Sequence, residues 1–368
     1  MRIALDATPL TEPTGGIRRY TAELARALAA HFPDDDYWLV SDQRWGSPPP
    51  LPNLRAGRPA DQWWTRRWWL AGLPLELRRL GVEVFHGTDF AVPYLPLVPS
   101  VMTLHDLSPW SGGERRAERA GRVRRRAPFL TRVATLILTP TESIRREAIE
   151  QLRLPASRVA VAPLAAAEEF HPRPPGEVAE TLGRLGVEPP YILFIGTAER
   201  RKNLARLVEA WRAARRERPG LSLALAGRSP GAAGELLNLS ADVSAETGLR
   251  LLGPVEDREA AALMTGAALF VYPSVYEGFG LPVLEAMQCG APVVISRDPA
   301  LVEVAGEAAV AVPYDSPAEL ARAIVELSGN CARREELRER GLRRAAQFSW
   351  RQTAVRAREA YVEAVRRF

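Results

Sequence analysis

Residues 273–287 read Pro273-Ser274-Val275-Tyr276-Glu277-Gly278-Phe279-Gly280-Leu281-Pro282-Val283-Leu284-Glu285-Ala286-Met287, directly after the apolar run Leu269–Tyr272. A short β-rich run, a loop with two glycines and an apolar helical stretch describe a strand turning into a helix. In open α/β sheets, ligands bind beyond the carboxyl ends of such strands. Gly278 and Gly280 let the backbone come close to a ligand. Pro282 starts a helix from Leu281 whose unpaired N–H groups favour an anion, here a diphosphate. Glu277 lies in the loop, and Glu285, eight residues later, is expected in the first helical turn. A carboxylate accepts two hydrogen bonds well, which suits the vicinal hydroxyls of a ribose at Glu285 and the hydroxyls of a sugar at Glu277.

A second element of the same kind is Gly196-Thr197-Ala198-Glu199-Arg200-Arg201-Lys202-Asn203, which follows the run Tyr191–Ile195 and leads into a helix. A departing phosphate needs its charge neutralised, and Arg201 with Lys202 are placed to do so without a metal. The alternative is a solvated helix start. Cations at the positive end of a helix are unfavourable unless an anion offsets them, which favours the functional reading.

Outward from these loops, the chain alternates β-rich runs with amphipathic segments. The first series is Ile3–Ala7, Ile17–Ala30, Tyr37–Val40, Val82–His86, Val101–His105, Leu136–Thr139 and Val159–Val161. The second has strands Tyr191–Ile195, Leu221–Ala226, Leu249–Leu252, Leu269–Tyr272 and Pro292–Ile295, with helices Asn203–Arg216, Asp257–Gly266 and Leu281–Cys289 between them. This βαβ rhythm, repeated, predicts two doubly wound Rossmann-like domains facing one cleft. The expected organisation is an N-terminal domain over 1–170, a linker over 171–190, a C-terminal domain over 191–348 and a closing helix over 349–368. The prolines of His171–Gly176 set the linker. Ser349 caps the closing helix, whose apolar face of Ala354, Ala357, Tyr361 and Val365 is expected to pack across the domain boundary.

A length of 368 residues exceeds what a single core supports, in keeping with two domains. With 46% hydrophobic and 25% charged residues, a largely disordered chain is excluded. No apolar run approaches the ~20 residues that span a bilayer, and Asp6 comes too early for a signal-peptide core, so a cytoplasmic protein is expected. Cys289 and Cys331 suggest neither a disulfide framework nor a metal site. The net charge of +5 comes almost wholly from arginine; it fits an anionic partner, and equally an arginine-rich composition.

The Glu277…Glu285 segment and Gly196–Asn203 resemble glycosyltransferase family 4, the large retaining group with the two-domain GT-B fold, within it the branch containing mannosyltransferases of surface-polysaccharide assembly. Supporting matches are Gly15-Gly16-Ile17, Thr103-Leu104-His105-Asp106, Thr139–Arg146, Pro163-Leu164 and Phe348-Ser349-Trp350, so the resemblance covers almost the whole chain. It implies that Glu285 holds the ribose, that Glu277 and the amides of Phe279 and Gly280 hold the donor sugar, and that Arg201 and Lys202 hold the diphosphate. Gly196 and Leu281 fall in the same donor segments. The Gly15-Gly16 loop is implied to border phosphates and acceptor, with His105 and Asp106 beside it and His105 lining the anomeric pocket. The implied reaction moves a hexose, best read as mannose from GDP-mannose, from a nucleoside-diphosphate sugar to a glycan, lipid-linked or small-molecule hydroxyl, with retention and with the leaving phosphate helping to take the acceptor's proton. No cofactor, metal or nucleic acid is expected. Arg18, Arg200, Met264 and Ala300-Leu301-Val302 depart from the usual pattern, which weakens inference about the sugar.

His86 also ends a strand but lacks a motif, and a structural role is expected. Glu168 and Glu169 read as exposed loop carboxylates. Asp34-Asp35-Asp36 precedes a strand, so it lies at the wrong sheet edge for a metal site and reads as a solvated turn. The four histidines have no ligand spacing. Trp63-Trp64-Thr65-Arg66-Arg67-Trp68-Trp69 and the arginines of Glu114–Arg126 pair aromatics and cations as interfacial segments do, for a lipid diphosphate or an anionic membrane. The alternatives are a core position for Trp69 and Leu70 and a solvated basic helix. A sugar-nucleotide epimerase of the same fold and a non-catalytic binding module are the rival readings. A dinucleotide dehydrogenase is disfavoured, because no Gly-x-Gly-x-x-Gly follows the first strand.

Overall fold

The computed structural model describes residues 1–12, 15–46, 50–58, 67–108, 129–228 and 248–368. They form two compact units, Met1–Leu164 with Ser349–Phe368, and Ala165–Phe348.

The first unit contains β1 (Arg2–Asp6), α1 (Gly16–His31), β2 (Asp36–Val40), β3 (Leu54–Ala56), α2 (Leu73–Leu80), β4 (Val84–Gly87), β5 (Ser100–Thr103), β6 (Leu136–Thr139), α3 (Glu142–Leu152) and β7 (Val159–Val161). Its sheet is parallel, in the order β3-β2-β1-β4-β5-β6-β7. Strands β4, β5 and β6 are buried along their whole length, which is why they read as short continuous apolar runs rather than alternating ones.

The second unit runs α4 (Pro175–Leu185), β8 (Tyr191–Ile195), α5 (Leu204–Glu217), β9 (Ser222–Ala226), β10 (Leu249–Gly253), α6 (Asp257–Gly266), β11 (Leu269–Tyr272), α7 (Leu281–Gln288), β12 (Val293–Ser296), α8 (Pro299–Ala305), β13 (Ala309–Val312), α9 (Pro317–Gly329) and α10 (Cys331–Ala345). Its parallel sheet is ordered β10-β9-β8-β11-β12-β13. The order reverses between β8 and β11, the position at which such sheets open a crevice at their carboxyl ends.

The stretch expected as a linker carries α4. Pro174 is extended and Pro175 occupies the first helical position, where a missing N–H costs nothing, so the paired prolines start a helix instead of preventing one. The border between the units falls between Leu164 and Ala165.

The chain returns to the first unit as α11 (Trp350–Arg367), capped by Ser349, whose Oγ accepts from the Gln352 amide at 3.2 Å. Its buried face comprises Trp350, Thr353, Ala354, Ala357, Ala360, Tyr361 and Ala364 and packs on α1. Val365, expected on that face, is 40% exposed, because the helical period turns Ala364 inward in its place. Asp35 is not in a solvated turn either. It is 3% exposed, and its carboxylate pairs with Arg358 of α11 at 2.6 Å and with the Met1 amine at 2.6 Å.

Candidate functional site

In the second unit the loops leaving β8 and β11 are joined. The Val275 amide donates to the Arg201 carbonyl at 2.7 Å, and Asn203 Nδ2 donates to the Pro273 carbonyl at 3.2 Å. Residues Arg200–Lys202 form a tight 3₁₀ turn, and Asn203, at φ 61°, takes the left-handed conformation that this residue tolerates before α5 begins. That turn carries Lys202 inward. Lys202 is 5% exposed and Glu277 7%, so the solvated-helix-start alternative does not hold for Lys202. Its Nζ donates to Glu277 Oε1 at 2.5 Å and to the Tyr272 hydroxyl. Arg201 NH1 lies 2.9 Å from the same Glu277 oxygen and donates to the Tyr276 carbonyl at 3.2 Å, and its Nε pairs with Glu199 at 2.8 Å. Two cations and two carboxylates therefore interlock where the sheet reverses.

Burial pushes the Glu277 carboxyl up, but the charges of Lys202 and Arg201 outweigh it and hold the group below the usual range, so it is ionised. Burial draws the Lys202 ammonium down, against the pull of Glu277. The Glu277 amide donates to Asp298 Oδ2 at 3.3 Å, while Asp298 Oδ1 caps α8 by accepting from the Leu301 amide at 3.0 Å. Burial raises Asp298 to about 6. Asp298 thus fixes the backbone of the acidic loop.

Gly280 is required: its φ is 88°, and a Cβ there would lie 2.3 Å from Leu301 Cδ2. At Gly196 a Cβ would meet the Phe194 ring at 3.1 Å, and at Gly227 (φ 127°) it would collide with the Gly196 carbonyl, so these two loops also touch closely. Gly278, by contrast, is outside the left-handed region. Phe279 is buried edge-on against Phe348, with ring centroids 5.8 Å apart. Leu281 begins α7 with Pro282 second, so Glu285 is the fifth helical residue, just past the first turn where it was expected. It is 6% exposed, and its charge acts on the Tyr272 hydroxyl together with those of Glu277, Arg201 and Glu199.

The other expected residues belong to the first unit. Gly15, at φ 134°, caps α1, which begins at Gly16. His105 lies two residues beyond β5 rather than ending it. Its Nε2 donates to the Thr88 carbonyl at 2.8 Å, which leaves Nδ1 as the ring acceptor in the neutral tautomer, and its ring meets Tyr20 edge-on at 4.7 Å. Asp106 Oδ1 accepts from the Ser108 amide at 2.9 Å and shapes its loop. His86 is fully buried and engages Tyr361 and Thr103, the structural role expected of it. Among the described residues, no three His, Cys, Asp or Glu side chains gather as metal ligands would.

The family models for Glycosyltransferase Family 4 and for Glycosyl transferases group 1 match residues 14–169 and 189–330. The chain is 33% identical over 382 residues to the O-antigen chain mannosyltransferase B of Escherichia coli, across 98% of this chain and 99% of that one. This protein is a family 4 glycosyltransferase. The glycosyltransferase superposes on the sucrose-phosphate synthase of Thermosynechococcus elongatus with a TM-score of 0.77 at 21% identity, covering 98% of each chain. It matches Anabaena HepE, solved in complex with UDP and glucose, with a TM-score of 0.72 at 18% identity, over 99% and 100% of the two chains. These likenesses and the two parallel sheets establish the GT-B fold of the glycosyltransferase.

Two residues of its site, Tyr272 and Asp298, escape sequence reading. Each ends an apolar run or starts a helix in an ordinary way, and only the fold shows which side chain it supports. Of the aromatic and basic segments, Trp63, Trp64, Thr65, Arg66 and Glu114–Arg126 lie outside the described residues. Trp68 is buried, and the half-buried Trp69 packs edge-on against Phe85, so these two belong with the core, whereas Leu70 is exposed. Among the described residues no helix is long and apolar enough to cross a membrane.

Proposed function

We propose that this glycosyltransferase moves a hexose from a nucleoside-diphosphate sugar to an acceptor hydroxyl with retention of anomeric configuration and without a metal, and that the donor is GDP-mannose. The observation that carries this reading is the Lys202–Glu277–Arg201 cluster at the point where the sheet reverses. Before the donor arrives, Glu277 and Glu199 neutralise the two cations. A diphosphate meets Lys202 and Arg201 while Glu277 keeps its hold on them through Oε1, and the remaining acceptor capacity of Glu277 takes hydrogen bonds from the sugar hydroxyls. Glu285, on the adjoining helix, takes the ribose hydroxyls. As the glycosidic bond breaks, charge grows on the diphosphate, and fixed cations in a buried setting stabilise that charge without reorganising. His105 and the Gly15–Gly16 loop, on the first unit, are assigned to the anomeric centre and the acceptor. The mannose assignment is supported by the full-length likeness to an O-antigen mannosyltransferase, and a glycan or lipid-linked glycan is the acceptor that fits it.

The test is to incubate the protein with GDP-mannose or UDP-glucose and mannose-terminated glycan acceptors, in buffer with chelator, and to read the new anomeric centre by NMR. The expected product is an α-mannoside formed from the α-linked donor. A β-linked product, an absolute need for a divalent ion, or release of an epimerised sugar nucleotide without acceptor would contradict the reading.

A further inference from the structure

Lys202 is the one lysine among 368 residues, against 48 arginines. Everywhere else that this chain places a fixed side-chain cation it uses a guanidinium. An ammonium is a compact charge with three N–H donors, while a guanidinium is a broad planar fork. The surroundings of Nζ suit the compact group. It sits within hydrogen-bond reach of the Tyr272 hydroxyl, 2.5 Å from Glu277 Oε1 and 4.7 Å from the centroid of the Tyr272 ring. That ring is itself held, lying nearly parallel to Phe194 and Phe270 at centroid distances of 5.5 and 6.0 Å. Burial, and then the charge of Glu277, raise the Tyr272 phenol well above its usual range, so it stays neutral and offers its oxygen as an acceptor.

We propose that Tyr272 is a positioning residue for sugar transfer: its phenol oxygen and the Glu277 carboxylate take two of the three N–H groups of Lys202 and so fix the direction in which the third meets the donor's diphosphate. This rests on the transferase reading above and extends it from residues that touch the donor to one that acts through Lys202. The charged groups that bear on Lys202 are Glu277, Arg201 and Glu199. Tyr272 adds no charge; its oxygen accepts from the ammonium, and that hydrogen bond to a charged group is stronger than the one it makes with the neutral amine. Its removal therefore makes the lysine give up its proton at lower pH.

A single lysine makes this measurable without turnover. Protein grown on ¹³C,¹⁵N-lysine carries one labelled side chain, and the pH titration of its ε carbon reports Lys202 alone. Tyr272→Phe keeps the ring stack and removes only the oxygen. The titration midpoint is expected to fall by about one pH unit. With GDP-mannose, kcat is expected to fall roughly tenfold to a hundredfold, as for a buried hydrogen bond to a charged group, and the alkaline limb of the pH profile to move the same way. Tyr191→Phe is the control. Its hydroxyl is buried beside the same sheet and donates to the Leu263 carbonyl at 2.6 Å, so its loss weakens the fold without moving the lysine. An unchanged midpoint in Tyr272→Phe, or an equal shift in Tyr191→Phe, overturns the proposal. Should Tyr272→Phe not fold, wild-type sequence grown on 3-fluorotyrosine, a poorer acceptor, is expected to show the same downward movement, and an unmoved midpoint there overturns it too. Wild-type protein that turned over neither GDP-mannose nor UDP-glucose would remove the proposed donors, while the lysine titration would still decide whether Tyr272 holds Lys202.

Discussion

His86 in the first unit and Lys202 in the second are both buried nitrogen bases near the carboxyl ends of central strands, and they are treated in opposite ways. His86 Nδ1 faces the Tyr361 hydroxyl at 2.6 Å and Nε2 the Thr103 hydroxyl at 2.8 Å, and Thr103 in turn meets the Tyr20 hydroxyl at 2.8 Å. Burial draws His86 down to about 3, so it is neutral at working pH, and every partner is neutral as well. The network ties β4, β5, α1 and α11 together and asks nothing further. Lys202 instead shares its burial with a carboxylate and an arginine. A buried ion pair is often no more stabilising than an apolar replacement, so its presence points to work done on a ligand. Burial alone does not mark a functional base; the charge state imposed on it does.

That contrast breaks most easily at Lys202. Lys202→Ala is expected to lower kcat per folded molecule about 10²–10³-fold, or roughly 2.7–4 kcal/mol, the scale of losing a preorganised charge-stabilising donor, and also to lower the thermal unfolding midpoint, because Glu277 stays buried with only Arg201 of its two cations. The mirror experiment is His86→Ala. It should cost about 2–4 kcal/mol of stability, through the cavity and two hydroxyls left without their partner, with turnover per folded molecule unchanged; denaturant unfolding and a transfer assay on the same samples measure both.

A pH series sharpens the same comparison. The unfolded chain protonates a histidine near 6.5, and folded His86 resists protonation until about 3. The stability that neutral His86 confers is therefore complete above pH 6.5 and drains away as pH falls toward 3, at up to about 1.4 kcal/mol per pH unit. Burial raises Asp6 to about 7 and Asp298 to about 6, which works in the opposite direction as pH falls. Both groups remain in His86→Asn, so the difference in unfolding free energy between wild type and that variant isolates His86. A difference independent of pH would show that the histidine is not held neutral. The smallest effect is expected from Lys202→Arg, which keeps the charge but not the shape. It should cost roughly tenfold in kcat/KM, about 1.4 kcal/mol of transition-state binding.

Much of this architecture was legible because parallel strands buried on both faces leave unmistakable apolar runs, and because glycines and carboxylates at a strand end have few other uses. The short edge strands β3 and β13 were not, since Leu-Arg-Ala and Ala-Val-Ala-Val carry a weaker β-branched signal than the equally short edge strand β7, Val-Ala-Val. The paired prolines at 174–175 were misleading, because a proline that would break a helix from within starts one at its first turn. Asp35, in an acidic run just before a strand, reads as part of a solvated turn, and only the return of α11 supplies the Arg358 that buries it. At the site, Glu277, Glu285, Arg201 and Lys202 were visible as a motif. Tyr272 and Asp298 were not, because one ends an apolar strand and the other caps a helix as many such residues do, and only the fold brings Lys202 and the Glu277 amide to them. The uniqueness of Lys202 among so many arginines was the one compositional sign of what Tyr272 does.

The central claim is that Lys202 and Arg201 receive a diphosphate. Calorimetric binding of GDP and GMP to wild type and to Lys202→Ala tests it without an acceptor. Wild type is expected to bind GDP at least about tenfold more tightly than GMP, a margin of about 1.4 kcal/mol or more, and Lys202→Ala to lose most of that margin while GMP binding stays as it was. Equal preference for GDP in the two proteins would contradict the account.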